Sequence, residues 1–209
     1  MSATKEIFQL VSQDIAINKC LKNNIINGRA LAKFLMTKYS LPYTEEAVVS
    51  ALRRYKPSTE KDKIIQQVLE NATIFTKNNE VCVTTNITDQ NKLGKILQDE
   101  QLNKNIRLSR GKKYTKIIVT GKELESLKSH FLQDQIVNIQ KNLSEIRLLL
   151  VKDASDTIGL LSKIAAQIAL YDVSIQAVII TQPEFLIYVK ETDGLKTQEA
   201  LLKLIERKH

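Results

Sequence analysis

The chain has 209 residues, 43% of them apolar, with six Gly and three Pro; that is enough for one large or two to three small cores, and it excludes a disordered polymer. The net charge of +8 is uneven: residues 1–71 carry 11 Lys and Arg against 7 Asp and Glu, residues 72–141 carry 12 against 7, and residues 142–209 carry 8 against 9. No apolar run long enough to span a bilayer occurs, and the opening MSATKEIFQLVSQD, with Glu6 and Asp14, does not read as a signal peptide, so no membrane is expected and the expected location is the cytoplasm.

Residues 1–57 read as a helical unit. Ile17, Cys20 and Leu21 recur at spacings of three and four, as one helix face requires. Asn27-Gly28 separates that helix from a second with Leu31, Phe34 and Leu35. Pro42 stops it, and Thr44 is a natural N-cap with Glu45 and Glu46 in the first turn. Val48, Ala51, Leu52 and Tyr55 make a third stripe. Residues 58–71 read as a connecting helix.

The period then changes. Residues 72–76 and 80–87 are rich in β-branched side chains around Lys77-Asn78-Asn79, which predicts a hairpin. A helix over 89–101, strands at 105–110 and 113–119 around Gly111-Lys112, a helix over 122–132 and a strand at 135–140 follow. The order then begins again: a strand at 144–152, a helix at 158–171, strands at 174–181 and 184–190, and a helix at 195–207. The expectation is an α+β chain, with the helical unit followed by two ferredoxin-like βαββαβ units at 72–141 and 142–209, the second lacking its last strand. An uncovered sheet edge invites pairing. Residues 72–76 or a second chain are the two candidates for filling it.

Chemistry is sparse. The chain has no G-x-x-x-x-G-K, G-x-G-x-x-G, G-x-S-x-G or H-E-x-x-H, and two His residues leave few parts for acid–base work. Cys20 and Cys82 stand alone, and His130 and His209 cannot build a metal cluster. The reading is a non-catalytic protein without metal or cofactor.

One segment is more specific. It runs from the apolar strand Ile146–Val151 through Asp153-Ala154-Ser155-Asp156-Thr157-Ile158-Gly159-Leu160-Leu161 into a helix starting Ser162-Lys163-Ile164-Ala165. Tyr171-Asp172-Val173-Ser174-Ile175 leads into the next strand, and Asp193 follows the third. This segment resembles the ACT family, with Ile158 where the family usually has Pro. The resemblance implies a regulatory domain that binds a small molecule such as an amino acid. It also implies edge-to-edge pairing, within the chain or between two chains as a homodimer, with ligands at the joint.

The turn has its own physics. Gly159 allows close backbone approach, and the first helical N–H groups, over Thr157, Ile158, Gly159 and Leu160, attract a carboxylate. Asp153 and Asp156 are placed to receive an ammonium group, and Ser174 and Gln176 to add hydrogen bonds. The plainer alternative is that Gly159 serves helix–sheet packing while Asp156 or Thr157 caps the helix.

Two basic regions invite nucleic acid. The layout of Asn27–Tyr55 resembles a helix-turn-helix, with Arg29, Lys33, Arg53, Arg54 and Lys56 placed for phosphates on DNA. Against this, the connection Lys38–Tyr43 is long and Glu45 and Glu46 open the reading helix. Lys104, Arg107, Arg110, Lys112, Lys113 and Lys116 fall within 13 residues that contain no acid. Such a run either grips a phosphate backbone or an acidic protein, or guards a solvated edge. The sequence therefore points to a ligand-responsive regulator, acting either on transcription or as a regulatory subunit of an enzyme of amino-acid metabolism.

Overall fold

A computed structural model describes residues 2–58, 60–102, 106–151, 154 and 157–206. The chain divides into two compact units, Met1–Lys63 and Ile64–His209.

The first unit is built from four helices, not three: α1 (Ala3–Gln13), α2 (Ile15–Lys22), α3 (Gly28–Tyr39) and α4 (Glu45–Arg54). The additional helix is α1, whose Ile7 and Val11 are completely buried. Each start is capped by a short oxygen-bearing side chain: Ser2, Asp14, Asn27 and Thr44 accept from backbone amides of the first turns. Ile7, Val11, Leu31, Leu35, Val48 and Leu52 form the centre of its core. Phe34, assigned to the apolar stripe of the second helix, is instead half exposed under the Lys38 ammonium. Leu31, Ala32 and Leu35 fill the inward face of α3 without it.

Helix α5 (Glu60–Glu70) leads into the second unit, where Ile65, Val68 and Leu69 enter the main core. The rest of that unit is a six-stranded antiparallel sheet in the order β2-β3-β1-β4-β6-β5. The strands are β1 (Thr73–Thr85), β2 (Arg107–Arg110), β3 (Thr115–Thr120), β4 (Ile136–Leu149), β5 (Ala177–Thr181) and β6 (Glu184–Lys190). The helices are α6 (Gln90–Gln98), α7 (Leu124–Ser129), α8 (Leu160–Ala169) and α9 (Gly194–Ile205).

The expected hairpin at Lys77-Asn78-Asn79 does not form. Residues 73–85 are one strand, and residues 136–149, expected as two strands, are another. The two pair along their whole length with register shifts between Lys77 and Cys82. Asn79 and Asn142 sit mid-strand with φ of 61° and 56°, a left-handed conformation that Asn tolerates better than most residues. Each absorbs a local irregularity while the strand continues. The polar Lys-Asn-Asn stretch is thus a bulge read as a turn.

This fusion answers the missing strand. Thr73–Lys77 pair with Leu149–Glu145 and occupy the edge position that the second ferredoxin-like half lacks. The other half of β1 pairs with β3 and with the first part of β4. The two halves therefore have the same strand arrangement and share two continuous strands. Their helices cover one face: Leu127 of α7 packs in one core with Val81, Val83 and Ile117 in the first half, and Ile164 of α8 and Leu201 of α9 with Ile146 and Leu148 in the second. On the opposite face Cys82, Ile118, Leu143, Leu186 and Tyr188 are also buried. The two ends of the sheet approach each other there, with Ser109, Lys116 and Ile118 sharing a cleft of about 220 Å³ with Ala177–Ile179.

Two buried carboxylates, Glu80 and Glu145, lie on that helix-free face. Glu145 Oε2 accepts the Tyr188 hydroxyl at 2.6 Å, and Arg147 Nη2 donates to Oε1 at 3.0 Å. Burial, then this hydrogen bond, pushes the Tyr188 phenol far above its ordinary value. Glu80 is 1% exposed, and its Oε1 lies 2.8 Å from Lys77 Nζ as an ion pair outside hydrogen-bond alignment. Burial raises the Glu80 carboxyl despite the lowering effect of Lys77.

Candidate functional site

The site is built where β4 hands over to α8. Leu150 N donates to Pro183 O at 3.0 Å, fixing the end of the strand against the β5–β6 turn. Three backbone hydrogen bonds follow: Ala154 N to Val151 O, Thr157 N to Ala154 O, and Leu160 N to Thr157 O, at 3.1–3.2 Å. Gly159 then stands at the N-cap of α8 with φ +88°. That conformation suits glycine, and glycine brings no side-chain oxygen to cap the helix. Among the described residues nothing accepts the amides of Leu161 and Ser162. The head of α8 thus presents unpaired N–H groups and the positive end of the helix dipole.

A pocket of about 410 Å³ opens at this point. Ala154, Thr157 and Gly159 line it from the turn, Leu160, Leu161 and Ser162 from the helix, and Ile180, Gln182 and Phe185 from the β5–β6 hairpin. Two hydroxyls, one side-chain amide and helix N–H groups face an otherwise apolar wall. Such a lining suits a small anionic or zwitterionic molecule with a modest side chain.

Of the residues expected at the site, Thr157, Gly159 and Leu160 line the pocket. Ile158 is 72% exposed and is not part of the lining. Asp153 and Asp156 lie outside the described residues. Ser174 and Gln176 stand at the opposite end of β5 from Ile180 and Gln182. There Gln176 donates to Ser174 O at 3.2 Å and accepts from Gln140 Nε2 at 3.1 Å. The expected strand starting at residue 174 begins only at Ala177, although Gln176 N already donates across to Tyr188 O at 2.8 Å. The hairpin residues Ile180, Gln182 and Phe185 were missed. The ferredoxin-like connection order carries the signal, since it returns the β5–β6 turn to the end of the sheet where the first helix starts.

The corresponding turn of the first half is closed. The Asp89 carboxylate caps α6 by accepting from Lys92 N at 2.9 Å. Thr115 Oγ1 donates to Ile87 O at 2.7 Å, Ile87 N donates to Thr85 Oγ1 at 3.1 Å, and Thr85 Oγ1 donates to Gln135 O at 2.8 Å.

In the helical unit Arg29, Lys33, Arg53, Arg54 and Lys56 are all exposed. Arg29 and Lys33 lie on α3, and Arg53, Arg54 and Lys56 cluster at the end of α4. Lys33 Nζ is 3.9 Å from Glu45 Oε2, while Arg54 donates to Ser50 O and to Thr4 Oγ1.

The chain matches no protein-family model and no curated protein. Among solved structures it is similar to an aspartate kinase from Clostridium acetobutylicum described as an allosteric enzyme, with a TM-score of 0.53 and 15% identity over 64% of this chain and 34% of that one. The chain thus spans about a third of the length of that kinase. It is similar to the regulatory subunit of aspartate kinase from Thermus thermophilus, at a TM-score of 0.51 and 10% identity over 64% of this chain and 97% of that one. A putative C-terminal regulatory domain of aspartate kinase from Porphyromonas gingivalis W83 gives 0.51 and 14% over 65% and 98%. At these identities the likeness is one of fold, and the fold is that of ACT-like regulatory domains. No helix among the described residues is long and apolar enough to cross a membrane.

Proposed function

We propose that this chain is a non-catalytic regulatory protein whose pocket at the head of α8 takes a free amino acid. The observation that carries the reading is the start of α8, which no described side chain caps: a glycine turn places N–H groups at a pocket large enough for such a ligand. The ligand carboxylate sits on the amides of Leu161 and Ser162, near the hydroxyls of Thr157 and Ser162. Asp153 and Asp156 receive the ammonium group. Ile180, Leu161 and Phe185 meet the side chain.

The same reading includes a homodimer. Strand β5 is a terminal strand of the sheet, with Val178 and Ile180 partly exposed, and a bare apolar edge favours strand pairing. An antiparallel two-fold pairing of β5 with its copy runs the start of one strand along the end of the other. It would bring Ser174 and Gln176 of the second copy toward the pocket.

The output is regulation of transcription, with Arg29, Lys33, Arg53, Arg54 and Lys56 of the helical unit meeting DNA. A second reading, a regulatory subunit that docks on an enzyme without touching DNA, is favoured by the fold shared with the Thermus regulatory subunit over 97% of its length. The decisive experiment is a thermal-shift screen with each of the twenty amino acids at millimolar concentration. A ligand at about 100 times its Kd stabilises the fold by about 2.7 kcal/mol. No shift with any of them sinks the sensing role. Co-purification of an enzyme from the source cells selects the second reading over DNA.

A further inference from the structure

Four cations of the β2–β3 hairpin of the first half, Arg110, Lys112, Lys113 and Lys116, have no ion-pair partner among the described residues. Arg110 opposite Thr115 is the last rung of this ribbon, and Thr115 is also the last β3 residue paired with β1, opposite Thr85. The turn from Gly111 to Tyr114 therefore projects past the end of the ladder. It is tight: Gly111 N donates to Tyr114 O at 2.8 Å, and a Cβ on Gly111 would stand 3.1 Å from that carbonyl. Residues 109–114 are all exposed, and the Tyr114 side chain is an exposed aromatic at the tip.

Around this tip stand Arg110, Lys112, Lys113 and Lys116, with no Asp or Glu anywhere from residue 106 to 119. Among the described residues none of the four lies in an ion pair. Elsewhere on the unit cations meet acids, as Lys77 does with Glu80, Lys128 with Glu125 and Lys203 with Glu199. Protection of a free edge accounts for cations on β2 itself. It does not account for Lys112 and Lys113, which lie beyond the last rung, or for Lys116, which lies on the inner strand. The charges also face both ways. Lys116 shares the helix-free face with Ile118, whereas Arg110 and Thr115 lie on the other. An acidic peptide laid along β2 would engage one side only. A sugar-phosphate backbone curving around a narrow ribbon engages both, and an exposed Tyr at its tip can stack on a base or bond a phosphate.

We infer that the β2–β3 hairpin is a nucleic-acid-binding ribbon that grips the phosphate backbone through Arg110, Lys112, Lys113 and Lys116, with Tyr114 as its aromatic contact. The contacts are to phosphate, so binding is weakly selective for sequence and steep in salt. The inference stands apart from the amino-acid pocket and from the helical unit.

The test uses the full-length chain and fluorescence anisotropy with a 20-nucleotide single strand and the matching duplex, at a series of salt concentrations. Substituting Arg110→Ala, Lys112→Ala and Lys113→Ala together should weaken binding about tenfold or more near 0.1 M salt. It should also flatten the dependence of log affinity on log salt by about one per contact removed. Tyr114→Ala should weaken the single strand more than the duplex. Lys112, Lys113 and Tyr114 lie outside the ladder and Arg110 is exposed on its last rung, so an unchanged melting temperature checks that each variant is folded. In a chain that already carries Arg53→Ala, Arg54→Ala and Lys56→Ala, the hairpin substitutions should weaken binding by the same factor and flatten the remaining salt slope by the same amount. The inference is overturned if wild type binds neither oligonucleotide at low salt. It is equally overturned if the hairpin variant binds as wild type does while the α4 variant loses binding, or if poly-glutamate competes for the hairpin more tightly than either oligonucleotide.

Discussion

In the first half of the sheet, α6 starts beneath the Asp89 carboxylate, and three threonine-centred hydrogen bonds close the turn before it. In the second half, α8 starts at Gly159, brings no side-chain cap, and opens on a pocket of about 410 Å³. Both halves have the same order of elements and share β1 and β4. The difference teaches that topology sets where a ligand turn lies, whereas a few residues at that turn decide whether it is a seal or a mouth. The buried carboxylates differ too: Glu145 has aligned donors in Tyr188 and Arg147, whereas Glu80 Oε1 has an ion pair with Lys77 and no aligned donor among the described residues.

The largest effects test whether the halves are one cooperative body. Ile117→Ala in the first core and Ile146→Ala in the second should each cost about 2–5 kcal/mol, since both residues are fully buried. Each should lower a single shared transition of the sheet unit in urea melts followed by circular dichroism. Separate transitions for the two halves would break the picture of shared strands. Next, Gly159→Val should cost about 1–3 kcal/mol through backbone strain at φ +88°. It should also abolish any amino-acid-dependent thermal shift; a preserved shift would place the ligand elsewhere. Asp89→Ala should cost about 1 kcal/mol as a lost cap and leave that ligand shift intact.

The smallest effect is electrostatic. Burial raises the folded-state Glu80 carboxyl above its unfolded value. Its contribution to stability is therefore full below the ordinary carboxylate range and is lost as pH rises through the raised value. Glu80→Gln should remove that slope, so melting temperatures measured from pH 4 to 7 should favour the variant increasingly toward neutrality. Asp99 has the opposite sign, because a hydrogen bond from His130, then one from Gln101 N, holds its carboxyl low. Its contribution is present above the unfolded value and fades as pH falls through the lowered one. A wild-type-like slope in the Glu80 variant would contradict the contrast between the two carboxylates.

Much of this was legible in sequence because it rests on local signals. The caps at Asn27 and Thr44, the existence of helices α8 and α9, and the duplicated order of elements follow from residue chemistry and period alone. The fused strands were not legible, because Lys77-Asn78-Asn79 has the composition of a turn, and only pairing with β4 keeps it extended. Helix α1 went unread although Ile7, Leu10 and Val11 carry the right spacing. Of the pocket, the turn at Thr157–Leu160 was visible as a glycine before a helix. The hairpin wall of Ile180, Gln182 and Phe185 comes from a segment some twenty residues away and needs the fold to bring it there.

The shared strands also have a consequence during synthesis. Thr73–Lys77 find their partners at Glu145–Leu149, about 70 residues further along. A nascent chain therefore emerges with one strand segment unmatched while the whole first half is made. That half can assemble around residues 80–141 as an insertion, and its closing strand runs on directly into the awaited partner. Until then the segment containing Ile74 and Phe75 is an exposed apolar edge, the kind of surface that draws aggregation and chaperones. The first half, with its sealed turn, thus acts as the splint on which the pocket-bearing half is completed.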